Sequence, residues 1–344
     1  MNLLVTGTDG YIGVLLAPYL MQKGHTVTGV DTGFYREGWL YQGATIQGPR
    51  TIQKDIRLLT ESDFHGFDAV LHLAELSNDP LGQLNPNITF KINHQGSVDL
   101  ARKAKAAGVK RFIYTSSCSV YGFGGDDFKT ETSDTNPQTA YAQCKVNVEK
   151  DVGALASDQF SPVFLRNATA YGASPRMRFD IVLNNLCGLA RTVGEIRMIS
   201  DGTPWRPLVH VLDICRAIGC AVEAPQAAIH NQIFNVGDSK ANYRVREIAE
   251  IVAEAFPGCQ LSFGKSDPDN RSYRVSFDKI HSQLPGFACD WDAQKGTQQF
   301  KQLFDRIQMT AEQFQARPFT RLKTLEYLIR TEQIDGDFFW RHLN

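Results

Sequence analysis

Tyr141 and Lys145 stand four positions apart in TAYAQCKVNVEK, a stretch with helical patterning, so both side chains project from one helix face. A lysine ammonium beside a phenol favours the phenolate and lowers the tyrosine pKa towards working pH. Such a phenol takes a proton from an alcohol while hydride leaves the adjoining carbon, which makes the pair a candidate base and its charge partner. Any helix can carry Y-x-x-x-K by chance, so the pair gains meaning only from its surroundings. The segment Ser116-Ser117-Cys118-Ser119-Val120-Tyr121-Gly122 supplies hydroxyls that can hydrogen-bond a reacting oxygen. The bland alternative is a serine-rich turn bonded to itself, which suits Ser116 and Ser119 individually.

A second constellation lies at the N-terminus. Gly7-Thr8-Asp9-Gly10-Tyr11-Ile12-Gly13 follows an apolar run and opens a helical pattern. Glycines at the first, fourth and seventh places permit a tight turn, close approach of backbone to a pyrophosphate, and close helix–strand packing. Free N–H groups and the dipole at the helix N-terminus then favour an anion. Asp31 falls about 20 residues on, at the end of the next strand candidate, where a carboxylate accepts ribose hydroxyls and repels a 2′-phosphate. The cofactor expected is therefore NAD rather than NADP. A ligand-free β–α turn and a turn-capping aspartate are the alternatives.

The elements that must position these groups read as a parallel sheet. Apolar strand candidates at Leu3–Thr6, Thr26–Val30, Ala69–Leu73, Arg111–Thr115 and Val163–Leu165 alternate with helical stretches near 11–23, 85–107 and 139–156. Right-handed crossovers then give an α/β, doubly wound Rossmann sheet over 1–166, with the serine segment at the carboxyl edge where ligands bind. Pro18 should kink the first helix. After Arg166 the rhythm changes. Residues 167–211 are rich in Asn, Arg, Pro and Gly, Val211–Glu223 reads as a helix, 233–237 as a strand and Val245–Ala255 as a helix. The remainder, to the terminal FFWRHLN, is charged and mostly helical. With no repeat or linker visible, 167–344 is expected to be a smaller α/β substrate lobe interwoven with the first, crossing back near 211–238.

Bulk properties set the remaining bounds. The 344 residues are 42% hydrophobic and carry net charge -1, so no global field draws the chain to nucleic acid or a membrane surface. Its N-terminal apolar run reads as a buried strand rather than a signal peptide, and no run of about 18 apolar residues occurs. Seven cysteines without a C-x-x-C pair argue against disulfides or structural zinc, and suggest buried thiols in a cytoplasmic setting. No metal site is expected, and His210 reads as structural.

Glycine turn, Asp31, SSCSVYG and Tyr141/Lys145, in this order and spacing, resemble the extended short-chain dehydrogenase/reductases. Their sugar-nucleotide epimerase/dehydratase branch, typified by UDP-galactose 4-epimerase, is the most similar, over nearly the whole chain but thinning after about 285. The resemblance implies Ser117, Tyr141 and Lys145 as the catalytic set. It implies a cofactor wall of Gly7, Gly10, Tyr11, Ile12, Gly13, Asp31, Asp55, Ile56, Leu73, Ala74, Asn93 and Thr115, joined by Tyr141 and Lys145. A substrate wall of Ser117, Ser119, Asn167, Asn184 or Asn185, Arg206 and Arg271 is expected to hold a nucleotide diphosphate sugar, the arginines gripping its phosphates. Arg176 and Arg178 read as solvated charges. The family likeness further implies a homodimer through the 85–107 and 139–156 helices.

Departures from the family pattern narrow the chemistry. The 4,6-dehydratases carry an Asp-Glu pair where this chain has Cys118 and Ser119, related decarboxylases carry a glutamate at 119, and the 3,5-epimerases and epimerase-reductases a cysteine there. What survives is hydride chemistry at a carbinol carbon: an NAD-dependent nucleotide-sugar 4-epimerase, or else a 4-ketoreductase or dehydrogenase. A non-catalytic dinucleotide sensor would need the glycine turn but not the Tyr/Lys pair. Glu75, where the family commonly has a small residue, is either a functional carboxylate near the nicotinamide or a surface or helix-capping one.

Overall fold

The computed structural model describes residues 1–42, 48–77, 82, 85–265 and 271–341; the last three residues of the FFWRHLN terminus lie outside them. Its strands are β1 (Asn2–Thr6), β2 (Thr26–Asp31), β3 (Arg50–Gln53), β4 (Ala69–His72), β5 (Arg111–Ser117), β6 (Phe123–Lys129), β7 (Ser161–Asn167), β8 (Thr169–Tyr171), β9 (Glu195–Met198), β10 (Trp205–His210), β11 (Gln232–Val236), β12 (Asn242–Arg244), β13 (Gln260–Phe263) and β14 (Ser272–Val275).

Seven of them form one sheet in the order β11-β7-β5-β4-β1-β2-β3, with every neighbouring pair parallel. Alternation along the strands explains why both faces are covered. Leu3, Val5, Leu71, Ile113 and Val163 join one buried cluster with the helices Gly13–Gln22 and Val211–Glu223. Leu4, Val70, Phe112, Tyr114 and Phe164 point the other way, into a cluster with Ser97–Ala106 and Ala140–Gly153. The doubly wound parallel sheet expected from the sequence is present.

Two members of this sheet lie outside the five strand candidates read within 1–166. β3 reads RTIQ, short and half polar, as suits an edge strand, and carries too little apolar pattern to be seen in sequence. β11 returns from beyond residue 230 to pair with β7, Phe234 opposite Leu165. The stretch near 85–107 is not one uniform helix: Pro86–Thr89 leads into a π-helical stretch, Phe90–Gly96, before Ser97–Ala106. Pro18 sits inside a continuous helix, and nothing in the structure explains its presence.

Smaller sheets follow in the second half: β12-β10-β8, β13-β9 and β14-β6. A third cluster, built on Leu183, Leu186, Ile248, Val252, Phe300 and Phe304, joins the helices Val182–Thr192, Val245–Ala255 and Ala293–Ile307. A fourth seats the C-terminal segment against the first half, with Leu325, Leu328, Ile334 and Phe338 packed on Phe34, Leu76, Ile88 and Ile92. Among the described residues no helix is long and apolar enough to cross a membrane.

Candidate active site

A cavity of about 710 Å³ opens at the carboxyl ends of β1, β4, β5 and β7 and gathers residues from both halves of the chain. At one end lies the glycine turn. Gly7 has φ +80°, and a Cβ there would stand 3.0 Å from Ala74 N. A Cβ on Gly13 would fall 2.0 Å from Gly7 O, so only glycine lets the helix start against the turn. Gly10 would meet nothing but Gly7 O, at 3.1 Å, which leaves its outer side open to the cavity. This is a cradle for a pyrophosphate, and the residues fit an NAD-type dinucleotide.

Asp31 is 9% exposed and borders the cavity, its Oδ2 accepting Asp9 N–H at 2.9 Å and its Oδ1 accepting Gly33 N–H at 2.8 Å. Burial pushes its carboxyl up, against the pull of those amides. Further along the wall, Asp55 caps the turn Ile56–Leu58 and pairs with Arg57 at 2.7 Å. Ile56, Leu73, Ala74 and Thr115 line the cavity beside it, and Tyr11 and Ile12 line it from the glycine turn.

Asn93 is not in that wall. It is fully buried, its Oδ1 accepting Leu76 N–H at 2.9 Å and its Nδ2 donating to Leu76 O at 3.0 Å. Its work is to tie the π-helical stretch to the segment after β4, so its place among the cofactor contacts is corrected to a supporting one.

Tyr141 and Lys145 project from the helix Ala140–Gly153, whose start is capped by Thr139 Oγ1 accepting Ala142 N–H at 3.1 Å. Both line the cavity, with Lys145 Nζ 5.2 Å from the Tyr141 ring centroid. The Lys145 ammonium donates to Thr115 O at 2.5 Å and forms an ion pair with Glu75. Burial alone would lower this lysine; the charges of Glu75 and Tyr141 outweigh it and hold it above its ordinary value.

Glu75 is thus no surface or capping residue. It is buried, bonded to Lys145, and accepts Tyr114 O–H at 2.5 Å. Thr6, His72 and Ser97 extend the network behind it: His72 Nδ1 lies 2.7 Å from Thr6 Oγ1 and Nε2 2.8 Å from Ser97 Oγ. Buried polar groups of this kind hold their positions because each bond unmade is costly.

Ser117 Oγ accepts Ser119 N–H at 3.1 Å where β5 ends, and both serines line the cavity. Ser119 Oγ and Asn167 Oδ1 are buried cavity-wall atoms without a hydrogen-bond partner, a vacancy that a sugar hydroxyl can fill. Sequence reasoning missed what holds this turn. Glu149 pairs with Arg166 at 2.7 Å and accepts Ser116 O–H at 2.6 Å, and Arg166 Nη1 donates to Tyr121 OH at 2.9 Å. The signal was present, since positions 141, 145 and 149 are spaced to share one helix face.

On the far wall Asn185, Arg206 and Arg271 line the cavity, and Arg206 Nη1 donates to Trp205 O at 2.8 Å and to Arg271 O. Asn184 does not: fully buried, it accepts Gly172 N–H and donates to Arg178 O and Tyr11 OH, while Asn185 Nδ2 donates to Phe179 O at 2.9 Å. The solvated reading of Arg176 and Arg178 is overturned. Arg176 is 8% exposed and lies over the Trp39 ring, while Arg178 lines the cavity paired with Asp180 at 2.9 Å. His210 keeps its structural part, stacked on Trp291 with ring centroids 4.0 Å apart.

The geometry meets known proteins at this point. The chain is 29% identical over 269 residues to a UDP-glucose 4-epimerase of Corynebacterium glutamicum, covering 74% of this chain and 80% of the relative. A UDP-glucose 4-epimerase of Vibrio cholerae is 27% identical over 338 residues, 88% of this chain and 95% of that one. Among solved structures, MoeE5 in complex with UDP-glucuronic acid and NAD superposes with a TM-score of 0.77 at 25% identity, covering 90% of this chain and all of that one. Residues 3–237 match the NAD-dependent epimerase/dehydratase family, and the chain belongs to that family.

Proposed function

We propose that this protein is a nucleotide-sugar 4-epimerase. The observation that carries the reading is the meeting of Tyr141, Lys145, Ser117 and the glycine turn in one cavity, with no carboxylate at 118 or 119 to drive elimination or decarboxylation. NAD, held by the glycine turn and Asp31, would supply reversible hydride transfer at the sugar C4. Tyr141 draws the proton from the 4-hydroxyl, and later returns it to the oxygen of the ketone. Lys145, pinned on Thr115 O, keeps a positive charge near the phenol and so favours its ionised form. Ser117 orients the reacting oxygen, and Ser119 and Asn167 offer the unpartnered atoms that a sugar turning in the cavity can exchange.

Asn185, Arg206 and Arg271 are assigned to the diphosphate, which needs guanidinium forks more than a general positive field. Asp31, with Asp55 and Ile56 beyond it, is assigned to the adenosine half of NAD. The relatives named for UDP-sugars favour a uridine nucleotide. We further place residues 167–344 as the substrate lobe around β8, β10 and β12, and a cytoplasmic homodimer through the paired helices Ser97–Ala106 and Ala140–Gly153. A monomeric mass at micromolar concentration removes the dimer.

The test is to incubate purified protein with UDP-, dTDP-, GDP- and CDP-sugars without added cofactor. Epimeric product with no net change in NADH absorbance is the expected result. Turnover only on adding NAD or NADH would make the protein a 4-ketoreductase or dehydrogenase, and binding without any turnover would make it a sensor.

A further inference from the structure

Arg321 opens the C-terminal helix Arg321–Arg330, far along the chain from the glycine turn, yet it lines the same cavity as Gly10, Asp31 and Tyr35. Only 4% of it is exposed, and its guanidinium carbon lies 4.0 Å from the Tyr35 ring centroid. Its Nη2 has no hydrogen-bond partner. Burial, with the nearby Arg178 charge, pulls its pKa down to about 10, against the favourable charges of Tyr35, Asp180 and Asp31. A buried guanidinium with an unused donor is costly unless an anion completes it.

Several other charged residues of the cavity are matched. Lys54 pairs with Asp63 at 2.7 Å, Asp55 with Arg57 at 2.7 Å, Arg178 with Asp180 at 2.9 Å, and Lys145 with Glu75. No carboxylate among the described residues forms an ion pair with Arg321, and the charge of Asp31 acts on it only from a distance.

Its place identifies the anion. Tyr35 comes four residues after Asp31, and the Arg178 segment is tied to the glycine turn by Asn184, which donates both to Arg178 O and to Tyr11 OH. Arg321 therefore stands on the wall that carries the loop after β2, against Tyr35 and within reach of the Asp31 charge, and the anion that an NAD-type dinucleotide brings past that loop is its diphosphate. We propose that Arg321 binds the diphosphate of NAD and that the C-terminal segment 317–341 is part of the cofactor site. This rests on the chain binding NAD, not on which sugar it turns over.

The segment is seated where that task requires. Trp340 Nε1 donates to Thr32 O at 2.7 Å, and Phe338 and Leu325 pack on Phe34 and Leu76, in the loops after β2 and β4. Those two loops flank the nucleotide path, so a nucleotide leaving the site must part from Arg321. The segment 317–341 itself lies beyond the family-matched span, 3–237.

The experiment compares wild type with Arg321→Gln and Arg321→Lys, each stripped of nucleotide, by calorimetric titration with NAD, ADP-ribose and adenosine. NAD retained through purification is counted by denaturing the protein and assaying the released nucleotide. Loss of a charge-assisted contact should weaken NAD and ADP-ribose about 10- to 100-fold in Arg321→Gln and leave adenosine within twofold. Co-purified NAD should fall with it. Should Arg321→Gln fail to fold, Arg321→Lys decides, with an expected several-fold loss for NAD and ADP-ribose and none for adenosine. ADP-ribose binding equal to wild type in a folded variant overturns the proposal. Wild-type protein that holds NAD but turns over no sugar nucleotide overturns the epimerase reading instead.

Discussion

Lys145 and Glu75 form an ion pair in which neither side chain is more than 4% exposed, so the ammonium beside the candidate base carries its own counter-ion. Taking away that carboxylate leaves one more net positive charge near Tyr141, which favours the phenolate. Glu75→Gln should therefore move the acidic limb of the kcat/KM profile to lower pH by roughly one unit. A pH–rate profile of wild type and variant checks this, and an unmoved limb would show that Tyr141 does not feel the carboxylate.

Tyr141→Phe keeps the ring and removes the proton carrier. Epimerisation should fall roughly 10²- to 10⁴-fold while NAD content and melting temperature stay near wild type. Activity retained within a few-fold would remove Tyr141 from the chemistry.

Gly13→Ala would put a methyl group 2.0 Å from Gly7 O and 2.7 Å from Thr8 Cα, backbone atoms that have no rotamer by which to yield. The turn must shift, and with it the pyrophosphate cradle. Co-purified NAD should drop by more than half, measured by nucleotide release. Gly24→Ala is a control for steric space only, since nothing lies within 4 Å of a Cβ there, although its φ of +86° adds backbone strain.

His210 is held neutral by burial. Nδ1 accepts Leu212 N–H at 3.2 Å and Nε2 donates to Gln299 Oε1 at 2.9 Å, and burial pulls the ring pKa down to about 4. The unfolded histidine, near 6.5, binds the proton first, so the stability contributed is present above about pH 6.5 and is lost as pH falls towards 4. The loss is about 1 kcal/mol per pH unit within that window. Thermal melts at pH 7 and pH 5 should show a smaller acid-induced drop in His210→Gln than in wild type. Equal drops would mean that another group carries the acid sensitivity.

Asn184 and Asn185 separate in the same way that burial separates them. Asn184→Ala should destabilise the fold by roughly 1–3 kcal/mol, because it orphans Gly172 N–H among other buried partners. Asn185→Ala should instead raise KM for the sugar nucleotide several-fold with little change in melting. Denaturant unfolding and steady-state kinetics on both variants test the division.

Much of this molecule is readable from its residues alone. The five apolar runs that became β1, β2, β4, β5 and β7, the glycine turn, Asp31 and the Tyr141/Lys145 spacing are local patterns, because strand burial, turn geometry and helix phase act over a few residues. Only the tertiary structure decided which polar side chains face the cavity. Whether Glu75 meets water or Lys145, which of Asn184 and Asn185 turns inward, and that Arg321 reaches the glycine turn's cavity depend on contacts between residues as much as hundreds of positions apart. A charged side chain in sequence carries no mark of its partner, since the free energy of burying it belongs to the pair and the space around it.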